Sequence, residues 1–124
     1  MERGEVINTH ALLKVINAQV DEFCGSAEVE TRWRDPLIGI AAADDPLFEK
    51  LKEVVSPEHL LPGDLLPGAR SVIVFYLPFV EGVIASNVAG PMASSQWARA
   101  YIETNQLIKR ISNRLAEYLL NAGY

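Results

Sequence analysis

One cysteine in 124 residues, Cys24, excludes a block of chemistry. It can close no internal disulfide, and it cannot supply the about four thiolates of a four-iron cluster or the two or more of a typical structural zinc site. Basic residues are also scarce, with 11 Lys and Arg against 16 Asp and Glu for a net charge of −5. A protein that grips phosphates through a basic face is built otherwise, so no direct nucleic-acid partner is expected. The longest apolar run, residues 72–80, includes Pro78 and falls well short of the roughly 20 residues of a membrane-spanning helix, so no membrane partner is expected either. The opening Met1-Glu2-Arg3-Gly4-Glu5 has no cationic stretch leading into an apolar one. With the lone cysteine, that places the expected compartment in the cytoplasm. There is no phosphate-cradling glycine loop and no glycine-flanked nucleophilic serine, and His10 and His59 lie far apart in sequence.

What remains is the composition of a folded domain, 49% hydrophobic and 22% charged, in a length that suits one core rather than two. The expectation is a single domain over residues 1–124. Apolar residues at Val6, Leu13, Ile16, Val20 and Phe23 recur at helical spacing over residues 5–23, and Gly25 suits a left-handed helix end. Residues 27–33 alternate in polarity as an edge strand does, and residues 37–42, with Gly39 inside, form a second, apolar strand. Asp45-Pro46 starts a helix whose apolar face is Leu47, Phe48, Leu51, Val54 and Val55. The doubled Leu-Leu-Pro-Gly of residues 60–63 and 65–68 reads as a loop of successive turns.

Residues 71–77, nearly all β-branched or aromatic, read as a central strand covered on both faces, and residues 80–92 as an extended loop. Ser94 or Ser95 then caps a last helix reaching about Asn121, roughly 40 Å long, with Gly123 at its close. Its inner stripe is Trp97, Tyr101, Ile108, Ile111, Leu115, Leu119 and Ala122. The fold class is α/β, with α+β as the alternative: a small sheet of about three or more strands packed by helices.

Several residues qualify for chemistry, each beside a plainer reading. His10 on a helix and His59 in a loop serve structure or solvent unless something else converges on them. Cys24 at a helix end is ordinarily a small buried hydrophobe. Asp44-Asp45 could bind a cation but sits where a helix cap belongs. Trp97 and Tyr101, one turn apart, could stack a ligand or fill the core. Glu103, Thr104 and Asn105 break the apolar stripe of the last helix, and a buried polar group requires a backbone, water or ligand partner. An enzyme site using His59 and Asp64 has no supporting pattern.

The segment Leu66-Pro67-Gly68-Ala69-Arg70-Ser71-Val72-Ile73-Val74, followed by Leu77-Pro78-Phe79, resembles the N-terminal part of the epoxyqueuosine reductase-like proteins, which are cobalamin- and iron–sulfur-dependent reductases. The order of features over most of the chain agrees with that resemblance: a first helix, the short strand Ile38-Gly39-Ile40-Ala41, the Leu-Pro-Gly-Ala-Arg turn into a strand, and a serine-started helix. Where those reductases carry Tyr-Ala-x-Gly-x-Asp-Tyr-His, this chain reads Trp97-Ala98-Arg99-Ala100-Tyr101-Ile102-Glu103-Thr104-Asn105, closer to the divergent iron–sulfur-binding branch.

The resemblance implies the N-terminal module of a longer redox protein, inactive alone. The family's Ala-Gly-Leu-Gly segment and cluster cysteines would follow Tyr124. A corrinoid and [4Fe–4S] clusters are implied for the full-length family, with none expected in the isolated chain and no metal site in it. Trp97, Tyr101, Glu103, Thr104 and Asn105 are the implied cofactor-contact surface. The expected partner is the C-terminal half or a second copy, and the competing reading is a non-enzymatic oligomerisation or subunit-interaction domain.

Overall fold

The computed structural model describes residues 7–88 and 90–124. It is an α/β arrangement with a long C-terminal helix, divided into two compact units: residues up to Leu37 with Tyr76–Tyr124, and Ile38–Phe75. Each is treated by itself.

The first unit is built on two helices, α1 (Thr9–Cys24) and α5 (Ser95–Asn121), with the short α4 (Glu81–Ser86) between them in sequence. Asn8 caps α1 by accepting from the Ala11 N–H at 2.8 Å. Glu5 and Val6, expected to begin this helix, lie outside the described residues. Gly25 closes it with φ −72°, a right-handed conformation that any residue adopts, so the expected left-handed end is not used. The N–H of Gly25 instead continues the helical pattern to the Asp21 and Glu22 carbonyls.

Leu12 and Ile16 of α1 and Leu107 and Ile111 of α5 are fully buried and form the core where the two helices pack. The sequence stripe had favoured Leu13 and Ile108. The expected stripes hold at Ile16 and Phe23 of α1 and at Ile111 and Leu115 of α5, while Leu12, Ala100 and Leu107 take the buried places expected for the adjacent Leu13, Tyr101 and Ile108. Ala100, Glu103, Leu107, Ile111 and Leu115 form the buried line of α5, while Tyr101 is 66% exposed.

Both ends of α5 are closed locally. Ser94 accepts from the Trp97 N–H at 3.0 Å. At the other end Gly123, at φ 92°, donates to the Leu120 carbonyl, and Tyr124 donates to that of Leu119, the paired bonds of a Schellman close.

Residues 80–92, expected to be extended throughout, instead contain α4, too short to show a helical period. Its end is tied to the start of α5 by Ser86 Oγ and Ser94 Oγ at 2.8 Å and by the Ser94 N–H on Asn87 Oδ1 at 2.9 Å.

In the second unit, β1 (Leu37–Ala42) and β2 (Ser71–Tyr76) pair antiparallel, with α2 (Leu47–Val54) and the single turn α3 (Pro62–Leu65) between them. The pairing is continued by the Ala43 N–H on the Arg70 carbonyl at 2.9 Å. Asp45 Oδ1 caps α2 through the Leu47 N–H at 2.9 Å. In the Pro-Gly loop, α3 forms because Asp64 Oδ2 accepts from the Leu61 N–H at 2.8 Å with Pro62 in the first turn. Leu66-Pro67-Gly68-Ala69 is a type II turn, with Gly68 at φ 83° and the Ala69 N–H on the Leu66 carbonyl.

Among the described residues the sheet has two strands where three or more were expected. β2 therefore has one strand neighbour and is not a central strand, and Val74 is 56% exposed. The segment 27–33 does not become a strand, for a reason that lies in α5.

Candidate functional site

Residues 29–34 cross the first unit as an extended strap, reached from α1 through a turn at residues 26–28. Val29 and Thr31 point inward and are buried, while Glu28, Glu30 and Arg32 point out. The period-two pattern is real, but among the described residues the strap's backbone meets another segment as a ladder only at Trp33, which bridges to Phe79. The Arg34 N–H then donates to the Pro78 carbonyl at 2.9 Å. A side chain takes the place of a neighbouring strand: Glu103, on α5, is 6% exposed and presents its carboxylate to the strap. Oε1 accepts from the Thr31 hydroxyl at 2.7 Å and the Thr31 N–H at 3.1 Å, and Oε2 accepts from the Glu30 N–H at 3.2 Å.

Burial by itself would push the Glu103 carboxyl up. The Thr31 hydroxyl, the Thr31 and Glu30 N–H groups and the nearby Arg99 guanidinium outweigh it and hold the group below its ordinary value. Arg99 also pairs with Glu30 at 3.2 Å, with both side chains more than half exposed. One residue along α5, Thr104 Oγ1 accepts from the Trp33 indole at 2.9 Å. The polar break in the apolar stripe is thus answered by the protein's own strap.

Of the five residues expected to share a cofactor surface, Glu103 and Thr104 converge on the strap. Trp97 instead packs edge-on against Phe79, with ring centres 5.2 Å apart. Tyr101 and Asn105 are exposed, and Asn105 Nδ2 donates to the Tyr101 carbonyl at 2.9 Å. The five do not form one site.

The strap, the start of α4 and one face of α5 enclose an open cleft of about 1030 Å³, lined among others by Val29, Arg32, Val83, Arg99, Ile102 and Gln106. Arg32 is turned onto the carbonyls of Val29, Thr31 and Cys24. Arg110, also on the cleft, lies 5.4 Å from the centre of the Phe23 ring and pairs with Glu22 at 3.6 Å. The strap was missed as part of a site because its partner sits 72 residues away in sequence. The available signal was an acid at a core position of α5 facing an extended segment with Thr31 on its inward side.

An iron–sulfur cluster requires a set of cysteine thiolates. Among the described residues no group of three or more His, Cys, Asp or Glu is placed to hold a metal, and one thiol does not fit a four-iron cluster. The described residues leave no buried side-chain nitrogen or oxygen without a partner. His59 Nδ1 lies 2.9 Å from the Leu60 carbonyl and Asp64 caps α3, so neither His59 nor Asp64 turns to the other for a partner.

Compared with known proteins, the chain matches no family model, no curated protein and no solved structure.

Proposed function

We propose that this chain is an assembly module, whose residues 37–76 are completed by another protein surface. The observation that carries the reading is that no side chain in Ile38–Phe75 is buried, although the segment is rich in Leu, Ile and Val. Leu47, Val54, Leu65, Leu66 and Val74 are each more than half exposed. A two-stranded ribbon is marginal in water, and it becomes stable when further strands or a helix cover it. Its strands carry no charge and no proline, the devices that normally blunt an open edge.

The segment that resembles the epoxyqueuosine reductase-like proteins, residues 66–74, is the turn and strand of this same uncovered unit. That supports placing the chain as the N-terminal module of a corrinoid- and iron–sulfur-dependent reductase, acting in the cytoplasm and not catalytic alone. On this reading the cofactors are held by the partner's residues, and the chain contributes structure. A second copy of the chain could fill the same role, as in a plain oligomerisation domain.

Sedimentation at micromolar concentration, with amide exchange of residues 71–76, tests the reading. Association with protected β2 amides is expected. A monomer whose β2 amides are already protected, and which binds no hydrophobic dye, overturns it.

A further inference from the structure

The buried carboxylate of Glu103 holds the middle of the strap, and other groups hold its two ends. The ends of the strap are fixed by groups that do not take up protons in mild acid. Trp33 is bonded to Thr104 at 2.9 Å, and Arg34 donates to the Pro78 and Phe79 carbonyls at 2.9 and 3.0 Å. At the other end the strap leaves α1 through a turn in which the Val29 N–H donates to the Ser26 carbonyl. Between these anchors the backbone N–H groups of Glu30 and Thr31 are held on Glu103.

We propose that Glu103 is a proton-operated latch: when its carboxyl is protonated, residues 28–32 lift from α5 while both anchors and the α1–α5 core stay in place, widening the cleft.

The geometry sets the sequence of events. Oε1 accepts from the Thr31 N–H and hydroxyl and, at 3.4 Å, from the Glu30 N–H, whereas Oε2 accepts only from the Glu30 N–H at 3.2 Å, so Oε2, with the fewest donors, is the oxygen that takes the proton. A protonated oxygen turns a donor toward a donor, and the remaining oxygen loses the charge that strengthens its bonds. The other charged groups on the cleft are Glu28, Glu30 and Arg32 from the strap and Arg99 and Arg110 from α5, while α1 and α4 face it with uncharged residues. Arg32 and Arg110 are engaged elsewhere. Arg99 favours the charged latch, and its pair with Glu30 is exposed and holds the strap weakly. The core residues Leu12, Ile16, Leu107 and Ile111 are apolar, so their packing carries no matching response to acid.

Amide exchange of the whole chain, followed residue by residue from about pH 7 to about pH 3, tests the latch. As the pH falls below the ordinary glutamate value of 4.5, protection of the Glu30 and Thr31 amides should drop by about tenfold or more while Leu107 and Ile111 stay protected. Thr31→Val removes one donor to the carboxylate and should move the drop to higher pH by about one unit. Glu103→Gln should show low protection at residues 30 and 31 with no pH response, and Glu30→Gln should keep the wild-type response. The proposal fails if residues 30 and 31 lose protection only together with the core, if Thr31→Val leaves the midpoint unmoved, or if Glu30→Gln abolishes the response. Should Glu103→Gln not fold, the wild type and Thr31→Val decide the matter alone.

Discussion

The Thr31 hydroxyl meets Glu103 Oε1 at 2.7 Å across 72 residues of sequence. Through that contact a carboxylate on a helix acts as the hydrogen-bonding neighbour of an extended segment. Two backbone N–H groups that a sheet would have satisfied are satisfied by one side chain. The cost of a buried charge is offset by three donors and a nearby arginine.

Glu103→Leu should therefore destabilise the first unit by about 1–3 kcal/mol despite adding apolar surface, because the Glu30 and Thr31 N–H groups lose their acceptor. Urea unfolding followed by tryptophan emission measures it. A change of under about 0.5 kcal/mol would mean that water serves those groups equally well.

The same carboxylate sets the sign of an acid dependence. Its pKa is lowered on folding, so its contribution to stability is fully present above the ordinary value of 4.5 and fades as the pH falls through the folded-state value. The stability gap between the wild type and Glu103→Gln should be widest near neutrality and close in acid. A gap that stays constant with pH would assign the effect to packing.

Asn105→Leu should leave stability unchanged or raise it by a few tenths of a kcal/mol. The residue is exposed, and its side chain bonds only to the Tyr101 carbonyl of its own helix, where leucine is the better helix former. Chemical denaturation checks it, and a loss of 1 kcal/mol or more would point to a partner for Asn105 beyond its own helix.

The two units should respond differently to the loss of an apolar side chain. Leu107→Ala empties a fully buried position and should cost about 2–5 kcal/mol. Leu65→Ser, at a position 71% exposed, should stay within about 0.5 kcal/mol in the monomer while weakening association in sedimentation. Equal costs would mean that Leu65 is covered within the chain.

Where sequence pattern and local chemistry coincide, they located elements well. Residues 37–42 form β1 with the expected bounds, and Ser94 and Gly123 close α5 at the expected places. In each case the signal is short-range: a run of β-formers, a capping hydroxyl, a glycine able to take positive φ. The failures come from partners that are not local. The alternation of residues 27–33 predicts which side chains are buried but not what receives the backbone N–H groups. A stripe of α5 traced through apolar residues alone meets the core at Ile111 and Leu115 but passes over Glu103, and around it shifts the face toward Tyr101 and Ile108. The six residues of α4 are too few for a period to emerge from sequence, and Gly82 there resembles a loop residue. The composition of β2 predicts a central strand because a strand covered on both faces and one with exposed residues such as Val74 can be equally rich in β-branched and aromatic residues.

The division of the chain into units has an optical consequence. Both tryptophans, Trp33 and Trp97, and all four tyrosines lie outside Ile38–Phe75, whose aromatic residues are Phe48 and Phe75. Tryptophan emission therefore reports the strap and helices of the first unit, and the ribbon contributes to the tyrosine signal through Tyr76 alone, at the very end of β2. A population in which the ribbon had melted or docked would look unchanged to tryptophan emission, and backbone-sensitive measurements are required to see it.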